Sequence, residues 1–460
     1  MDGSIVMTTI VEILAARIAQ SRYEQISGPA LLQAKMGLLD TLGVGIAGSR
    51  EPAAVIAGRV LSGCTGPATV WGTGRRLPPL EAAYVNGIAA NVLDFDDCTD
   101  NLGGHPSSPV LPAVLALAQQ YGASGRQILL AYVVGFEVET QLGRGVNFHH
   151  YEKGWHATST LGVFAAGAAC AKLLDLDVPR IAHTLSLCAS LASGIKANLG
   201  AMAKPMHIGQ SARNGLLAAL LAKDGFSGQP DAFEHPHGFL NVYNGPGSYD
   251  IARIVEKWGT PWDIEFPGIA IKQYPCCLST QSVIDLALQL MSRHGIDAAR
   301  VHSVEARISA RRLAHTDRPR PEGPLEAKLS IQYVLARAIL DGGVRLEHFS
   351  EENWREDRIA GFMTRIDVAA FSEDAGEPDM GAHLTLKLED GKTVSGRIDR
   401  PDGHTPGVPL NAEKLKQKFN HCVNGILGER RTEHLFEAVQ AIDTAPDADA
   451  IAALLSDRAT

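Results

Sequence analysis

A mainly α-helical protein is expected, with a large all-helical domain into which a smaller α+β unit is inserted. Three observations predict it. Apolar residues recur at spacings of three and four through most of residues 1–262, the period of a helix. Aromatic residues are only 6% of the chain while glycine alone numbers 46, a balance that favours closely packed helices over a β-sandwich. Between about 263 and 408 the apolar period falls to two, and helical spacing returns afterwards. At 460 residues the chain has room for more than one domain, at roughly 100–200 residues each.

Taken in order, Ile10, Ile13, Leu14 and Ile18 lie at helical spacing, as do Leu31, Leu32, Met36, Leu39, Leu42 and Ile46. Further helices are predicted over 110–121, 128–142, 161–174 and 181–195. Several are apolar nearly all round, the mark of helices buried inside a bundle. Beyond 263, Val304, Ala306 and Ile308 alternate with Glu305 and Arg307, a strand pattern. Leu384, Leu386 and Leu388 alternate likewise, Asp390-Gly391 marks a hairpin turn, and Val394 and Ile398 continue the return strand. Ile366 and Val368 predict another strand, and helices over 279–294 and 327–340 complete the α+β unit. PDGHTPGVP at 401–409 reads as a linker, after which Leu415, Phe419, Cys422 and Ile426 resume helical spacing. The domains are therefore placed at 1–262, 263–408 and 409–460, the last returning to pack on the first.

The net charge of −9 argues against a nucleic-acid partner, which calls for a basic stripe, yet a local cationic pocket for an acidic substrate is compatible with it. Seven cysteines without regular spacing form no disulfide framework, and adjacent Cys276 and Cys277 have no zinc spacing. The first 20 residues lack a basic leader, and no run approaches the roughly 20 apolar residues of a membrane span. A soluble, cytoplasmic protein is expected. The absence of a P-loop, of GxGxxG after a strand and of a GxSxG elbow weighs against phosphoryl transfer, nicotinamide chemistry and α/β-hydrolase chemistry.

Four groups of residues carry chemical potential. Gly194–Gly215 places Lys204, His207 and Arg213 among small and apolar residues, which suggests a pocket for a substrate with several negative charges; a surface turn is the alternative. Asp94, Asp96 and Asp97 precede His105. Three carboxylates in four residues suit a hard cation, but no EF-hand loop is present, and a metal-free role is preferred in which they orient His105 or hold a cationic side chain. His156 stands before a long apolar helix, where exposed N–H groups favour anions. Tyr151 nearby can transfer a proton if a neighbouring cation lowers its pKa. The offsets of His149, His150 and His156 fit no metal-binding pair. Lys272 to Cys277 with Gln281, and the stretch around His315, are weak signals alone.

The order of these motifs is informative: DFDD (94–97), HPSS (105–108), HYEKGWHATSTLG (150–162), KPMHIGQSARNG (204–215), KQYPCC (272–277), EAKLSIQY (326–333) and ILDGG (339–343). Together they closely resemble the MmgE/PrpD family over roughly residues 8 to 430. That family includes 2-methylcitrate dehydratases, cis-aconitate decarboxylases and iminodisuccinate epimerase. The resemblance implies an all-helical domain with an α+β lid, a homodimer, a small carboxylate substrate and no organic cofactor or metal. It assigns Asp94, His105, His156 and Lys204 to the active site, the decarboxylase branch matching at all four. Tyr151 and Lys204 match the opposed acid/base pair proposed in the epimerase branch. A lyase acting on a small di- or tricarboxylate is the leading expectation, an epimerase the alternative. Substrate-binding roles are expected for Asp94, His207, Gln281, His315 and Arg213. The chain departs from the family at Gln281, where many members have histidine, and at His315 and Cys98, where the decarboxylase branch has tyrosine and threonine.

Overall fold

A computed structural model describes residues 9–372, 376–404, 406 and 410–456. Most of the linker expected at 401–409 is described, but Thr405 and residues 407–409 lie outside these residues, as do residues 1–8. The chain is mainly α-helical. Eleven helices build its first part: α1 Ile10–Gln20, α2 Gly28–Gly48, α3 Pro52–Val60, α4 Pro79–Val92, α5 Ser107–Tyr121, α6 Gly125–Val146, α7 His149–Glu152, α8 Ala157–Thr160, α9 Gly162–Leu173, α10 Val178–Leu191 and α11 Ala203–Lys223. A small hairpin, β1 Ala68–Thr69 and β2 Arg76–Leu77, was not foreseen.

Local chemistry sets the boundaries. The Thr9 hydroxyl accepts from Glu12 N while the Glu12 carboxylate accepts from Thr9 N, a capping box that starts α1. Ser124 and Gln127 do the same for α6. Two predicted helices are shorter than expected. The one over 161–174 is preceded by the single turn α8 and separated from it at Leu161. The one over 181–195 stops at Leu191, beyond which the chain runs as a loop toward α11.

Helix α11 is packed by α4, α5, α9 and α10, and two glycines let it sit that close. A Cβ on Gly209 would lie 2.3 Å from Tyr84 O of α4, and one on Gly215 would lie 2.5 Å from Gly167 N of α9. This fixes the first turn of α11, which carries Lys204 and His207. By length and apolarity α2 is able to cross a membrane, but 78% of its apolar window is buried against the rest of the chain.

The apolar interior falls into two clusters. One runs from Ile10 to Ile271 and resumes from Leu410 to Leu455, including Leu415, Phe419 and Val423 of helix Ala412–Leu427. The other is built from Cys276 to Leu388. It surrounds a sheet of β3 Val301–Ile308, β4 Ile366–Ala370, β5 Ala382–Leu388 and β6 Thr393–Ile398, in the order β4-β3-β5-β6. β3 is parallel to β4 and antiparallel to β5, with Ala306 opposite both Val368 and Leu384. β5 returns to β6 through Asp390-Gly391, where Gly391 takes a φ of +81° that a side chain would resist. Helices Leu278–His294 and Ile331–Asp341 pack against each other beside this sheet. The predicted helix over 327–340 is two pieces, Pro324–Ala327 and Ile331–Asp341, because the Ser330 hydroxyl caps the second at Tyr333 N.

Candidate active site

The site is built around the turn that follows α4. Asp94 takes a φ of +52°, a conformation aspartate tolerates better than most residues. Its Oδ1 lies 2.9 Å from Lys204 Nζ and 2.7 Å from Lys272 Nζ, with His105 Nε2 at 3.5 Å. Lys272 also donates to the Asp94 carbonyl at 2.8 Å. Burial alone would push the Asp94 carboxyl up, but the two ammoniums and His105 outweigh it and hold the group well below the usual carboxylate range. The reciprocal effect acts on Lys272: burial favours the neutral amine, yet the carboxylates of Asp94 and Asp96 keep it charged to higher pH than an ordinary lysine.

Asp96 serves the imidazole. Its Oδ1 is 3.2 Å from His105 Nδ1, while Asn91 donates to Oδ2 at 2.9 Å. The His105 backbone N–H is fixed by Thr158 Oγ1 at 3.1 Å. Despite its burial, Asp96 is held below the usual range by His105. Asp97 differs: burial and the neighbouring Asp40 push it well up, and Ser107 Oγ donates to its carboxyl group.

Three buried lysines from three separate segments grip this turn by consecutive carbonyls. Lys328 donates to Leu93 O at 2.6 Å, Lys272 to Asp94 O, and Lys418 to Phe95 O at 2.7 Å. Lys418 also pairs with buried Asp40 at 2.6 Å. The turn that holds Asp94 thus depends on the second core and on the C-terminal helix.

His156 is buried, and its Nδ1 lies 3.2 Å from His207 Nδ1. Burial, then the nearby Lys204 and His207, hold His156 well below its usual pKa, so its imidazole is neutral. His207 lies outside the cavity lining and touches His156 instead, and burial lowers its pKa too. The expected long helix after His156 is only the turn α8 at this point. Tyr151 lines the cavity, but the expected lowering of its pKa is reversed. Burial pushes the phenol up to about 12, outweighing the lowering by nearby Arg311 and Arg312, while Lys196 lies 3.6 Å over the ring face. Tyr151 is therefore a phenol at neutral pH. His149 and His150 hydrogen-bond Asn244 away from the cavity.

Besides His207, two further expected substrate contacts are not in the cavity lining. Gln281 spends its amide on the loop before its helix, accepting from Gln273 N at 3.2 Å and Tyr274 N at 3.1 Å and donating to Tyr274 O at 3.0 Å. Arg213 lies in a separate apolar groove with Ile56, Tyr84 and Met206. The reason is helical geometry: nine residues at about 100° each place Arg213 on the face of α11 opposite Lys204. His315 does line the cavity, its Nε2 3.0 Å from Ser279 Oγ.

The cavity holds about 110 Å³, several times the ~10–15 Å³ one water needs. Asp94, His105, Tyr151, His156, Lys204, Lys272, Cys277, Arg311, Arg312 and His315 all line it. Two cationic regions result: Lys204 with Lys272 balanced by Asp94, and Arg311 with Arg312 balanced by Asp379. Asp94, Asp96 and His105 bring ligand atoms within 4.8 Å of one another. That donor set suits a divalent cation poorly, since Asp94 Oδ1 already meets two ammoniums. Lys272, Arg311, Arg312 and Cys277 escaped selection as site residues from sequence. The signal for Lys272 was a lysine set in an apolar run, AIKQYP, where an unpaired charge is costly.

Residues 12–252 match the model of the MmgE/PrpD N-terminal domain, and residues 274–444 match that of the MmgE/PrpD C-terminal domain. The chain belongs to the MmgE/PrpD family. It is 28% identical to human cis-aconitate decarboxylase over 466 aligned residues, covering 98% of this chain and 95% of the relative. The cis-aconitate decarboxylase of Aspergillus terreus is 25% identical, with 94% and 93% covered. The 2-methylcitrate dehydratase of Cupriavidus necator is 26% identical, with 86% and 87% covered. The C-terminal family model runs on through helix Ala412–Leu427, whose apolar face joins the first core.

Proposed function

We propose that the chain is a cofactor-independent lyase acting on a small tricarboxylate, by decarboxylation or dehydration. One observation carries the reading. Asp94 gathers Lys204 and Lys272 at one side of a cavity that also presents Arg311 and Arg312, so a substrate with several carboxylates meets matched cations. The named relatives, decarboxylases and dehydratases, support it. They give no support to the epimerase alternative.

The chemistry asks for stabilisation of negative charge that develops on a carbon next to a carboxylate. Lys204 and Lys272 supply preorganised donors, held in place before substrate arrives by Asp94. Neutral His156, its Nδ1 engaged by His207, has Nε2 left to accept a proton. His105, oriented by Asp96, donates to a carboxylate oxygen. The segment around the second core acts as a lid, bringing Arg311, Arg312 and His315 onto the substrate and excluding water.

Proton NMR in D2O with cis-aconitate, citrate and 2-methylcitrate tests this. New olefinic signals, with or without loss of CO2, are the expected result. Deuterium entering an inverted centre without a new olefin would replace the lyase by an epimerase, and no change with any tricarboxylate would refute the reading.

A further inference from the structure

We propose that Cys277 and His315 form a catalytic proton-transfer pair in this cavity, with the Cys277 thiol as the acid that delivers a proton to substrate. The proposal rests on the lyase reading above and gives a role to Cys277, which that reading leaves unused.

Cys277 stands immediately before helix Leu278–His294, its backbone N–H held by Lys328 O at 2.9 Å. His315 comes from helix Ala310–Thr316, and its Nε2 lies 3.8 Å from Cys277 Sγ and 3.0 Å from Ser279 Oγ. Arg312, one turn before His315, donates to Ser279 Oγ at 3.3 Å. The thiol and the Ser279 hydroxyl therefore both lie within reach of the same ring nitrogen, His315 Nε2. Tyr151 presents its ring edge-on to His315, with centroids 6.4 Å apart. All five residues line the cavity.

The environment of this thiol is unlike that of the other buried cysteines. Burial pushes Cys98, Cys170, Cys188, Cys276 and Cys422 up. Burial acts on Cys277 too, but His315, by hydrogen bond and charge, brings it down to about 7, with Asp94 opposing and Lys272 assisting. A group poised there is suited to giving a proton at neutral pH and regaining it.

Its position is also complementary. Lys204, His105 and His156 reach the cavity from the first core, whereas Cys277, Ser279, Arg312 and His315 reach it from the segment of the second. In decarboxylation the C–C bond to the departing carboxylate breaks and CO2 leaves its electron pair on carbon. The Cys277 S–H proton then forms the new C–H bond. In dehydration His156 takes the carbon-bound proton, the C–O bond breaks, and the thiol proton goes to the departing hydroxide. Either way a thiolate remains, stabilised by His315; solvent restores its proton through His315 Nε2, and after dehydration His156 releases the proton it took to solvent.

The test compares wild type, Cys277→Ser and His315→Gln across pH 5.5–9 with the tricarboxylate that NMR identifies, alongside iodoacetamide alkylation of Cys277 followed by peptide mass spectrometry. Serine keeps the approximate size but holds its proton too tightly. Its kcat is expected to fall by about 10²-fold or more with KM within threefold, and the limb of the kcat profile near pH 7 to disappear. In His315→Gln the midpoint for Cys277 alkylation should rise toward the ~8.5 of a free thiol. Turnover by wild type with Cys277→Ser within threefold in kcat would overturn the pair and leave the lyase reading intact, as would an alkylation midpoint unmoved by His315→Gln. No turnover of any tricarboxylate by wild type would overturn the lyase reading and the pair's role with it.

Discussion

Asp94→Asn probes the centre of the site most directly. The substitution keeps the shape of the side chain and the backbone carbonyl bond from Lys272, but removes the negative charge shared by Lys204 at 2.9 Å and Lys272 at 2.7 Å. Lys272 is only 2% exposed, so its ammonium cannot turn to water. Breaking one partner of a buried pair typically costs ~3–5 kcal/mol, and because both lysines share one carboxylate the two losses overlap rather than add. A destabilisation of about 3 kcal/mol is expected, read as a fall of ~3 °C in the thermal midpoint. The sign with pH follows from the depressed carboxyl. Its stabilisation is fully present above the ordinary aspartate value of ~3.9 and is lost as pH falls below that, so the gap between wild type and variant should narrow under acid. With the lysines misplaced, kcat/KM for the tricarboxylate should fall by ~10²–10³. A midpoint within ~2 °C of wild type together with activity within threefold would refute the account of Asp94 as the anchor of both lysines.

Four further outcomes are expected. Lys204→Ala should lower kcat by about 10²-fold or more, and turnover within threefold of wild type would remove it from the chemistry. Arg213→Ala, on the far face of α11, should leave kcat and KM within twofold in the same assay. Burial lowers Lys328 to about 8, so the folded state releases its proton before the unfolded chain does. Wild type should therefore gain up to ~3 kcal/mol relative to Lys328→Met between pH 7 and 10.5, and a flat difference in denaturant midpoint over that range would count against it. Sedimentation at micromolar concentration should give the homodimer that the family resemblance implies; a monomer would contradict it.

Much of the architecture was legible because period alone encodes it. The shift from helical spacing to alternation located the sheet, and Asp390-Gly391 marked its hairpin because only a residue free to take positive φ fits there. The breaks at Leu161 and Ser330 were not legible, since the helical spacing of apolar residues runs across both. The motif order pointed to the family, and residues within those motifs include Asp94, His105, Tyr151, His156 and Lys204 of the cavity wall.

The sequence by itself determined the periods, the turn chemistry and the set of titratable residues from which a site is assembled. Only the tertiary structure decided how they are used. Lys204 faces the cavity and Arg213 faces away because a helix turns about 100° per residue. Gln281 is occupied by its own loop, and His207 stands behind His156. The Tyr151 phenol is pushed up rather than down because burial outweighs the cations of Arg311 and Arg312 near it. Lys272, Lys328 and Lys418 converge on three successive carbonyls from positions up to 146 residues apart in sequence. Burial, direction and partner are properties of packing. They set the charge state of each group, and no local pattern along the chain carries them.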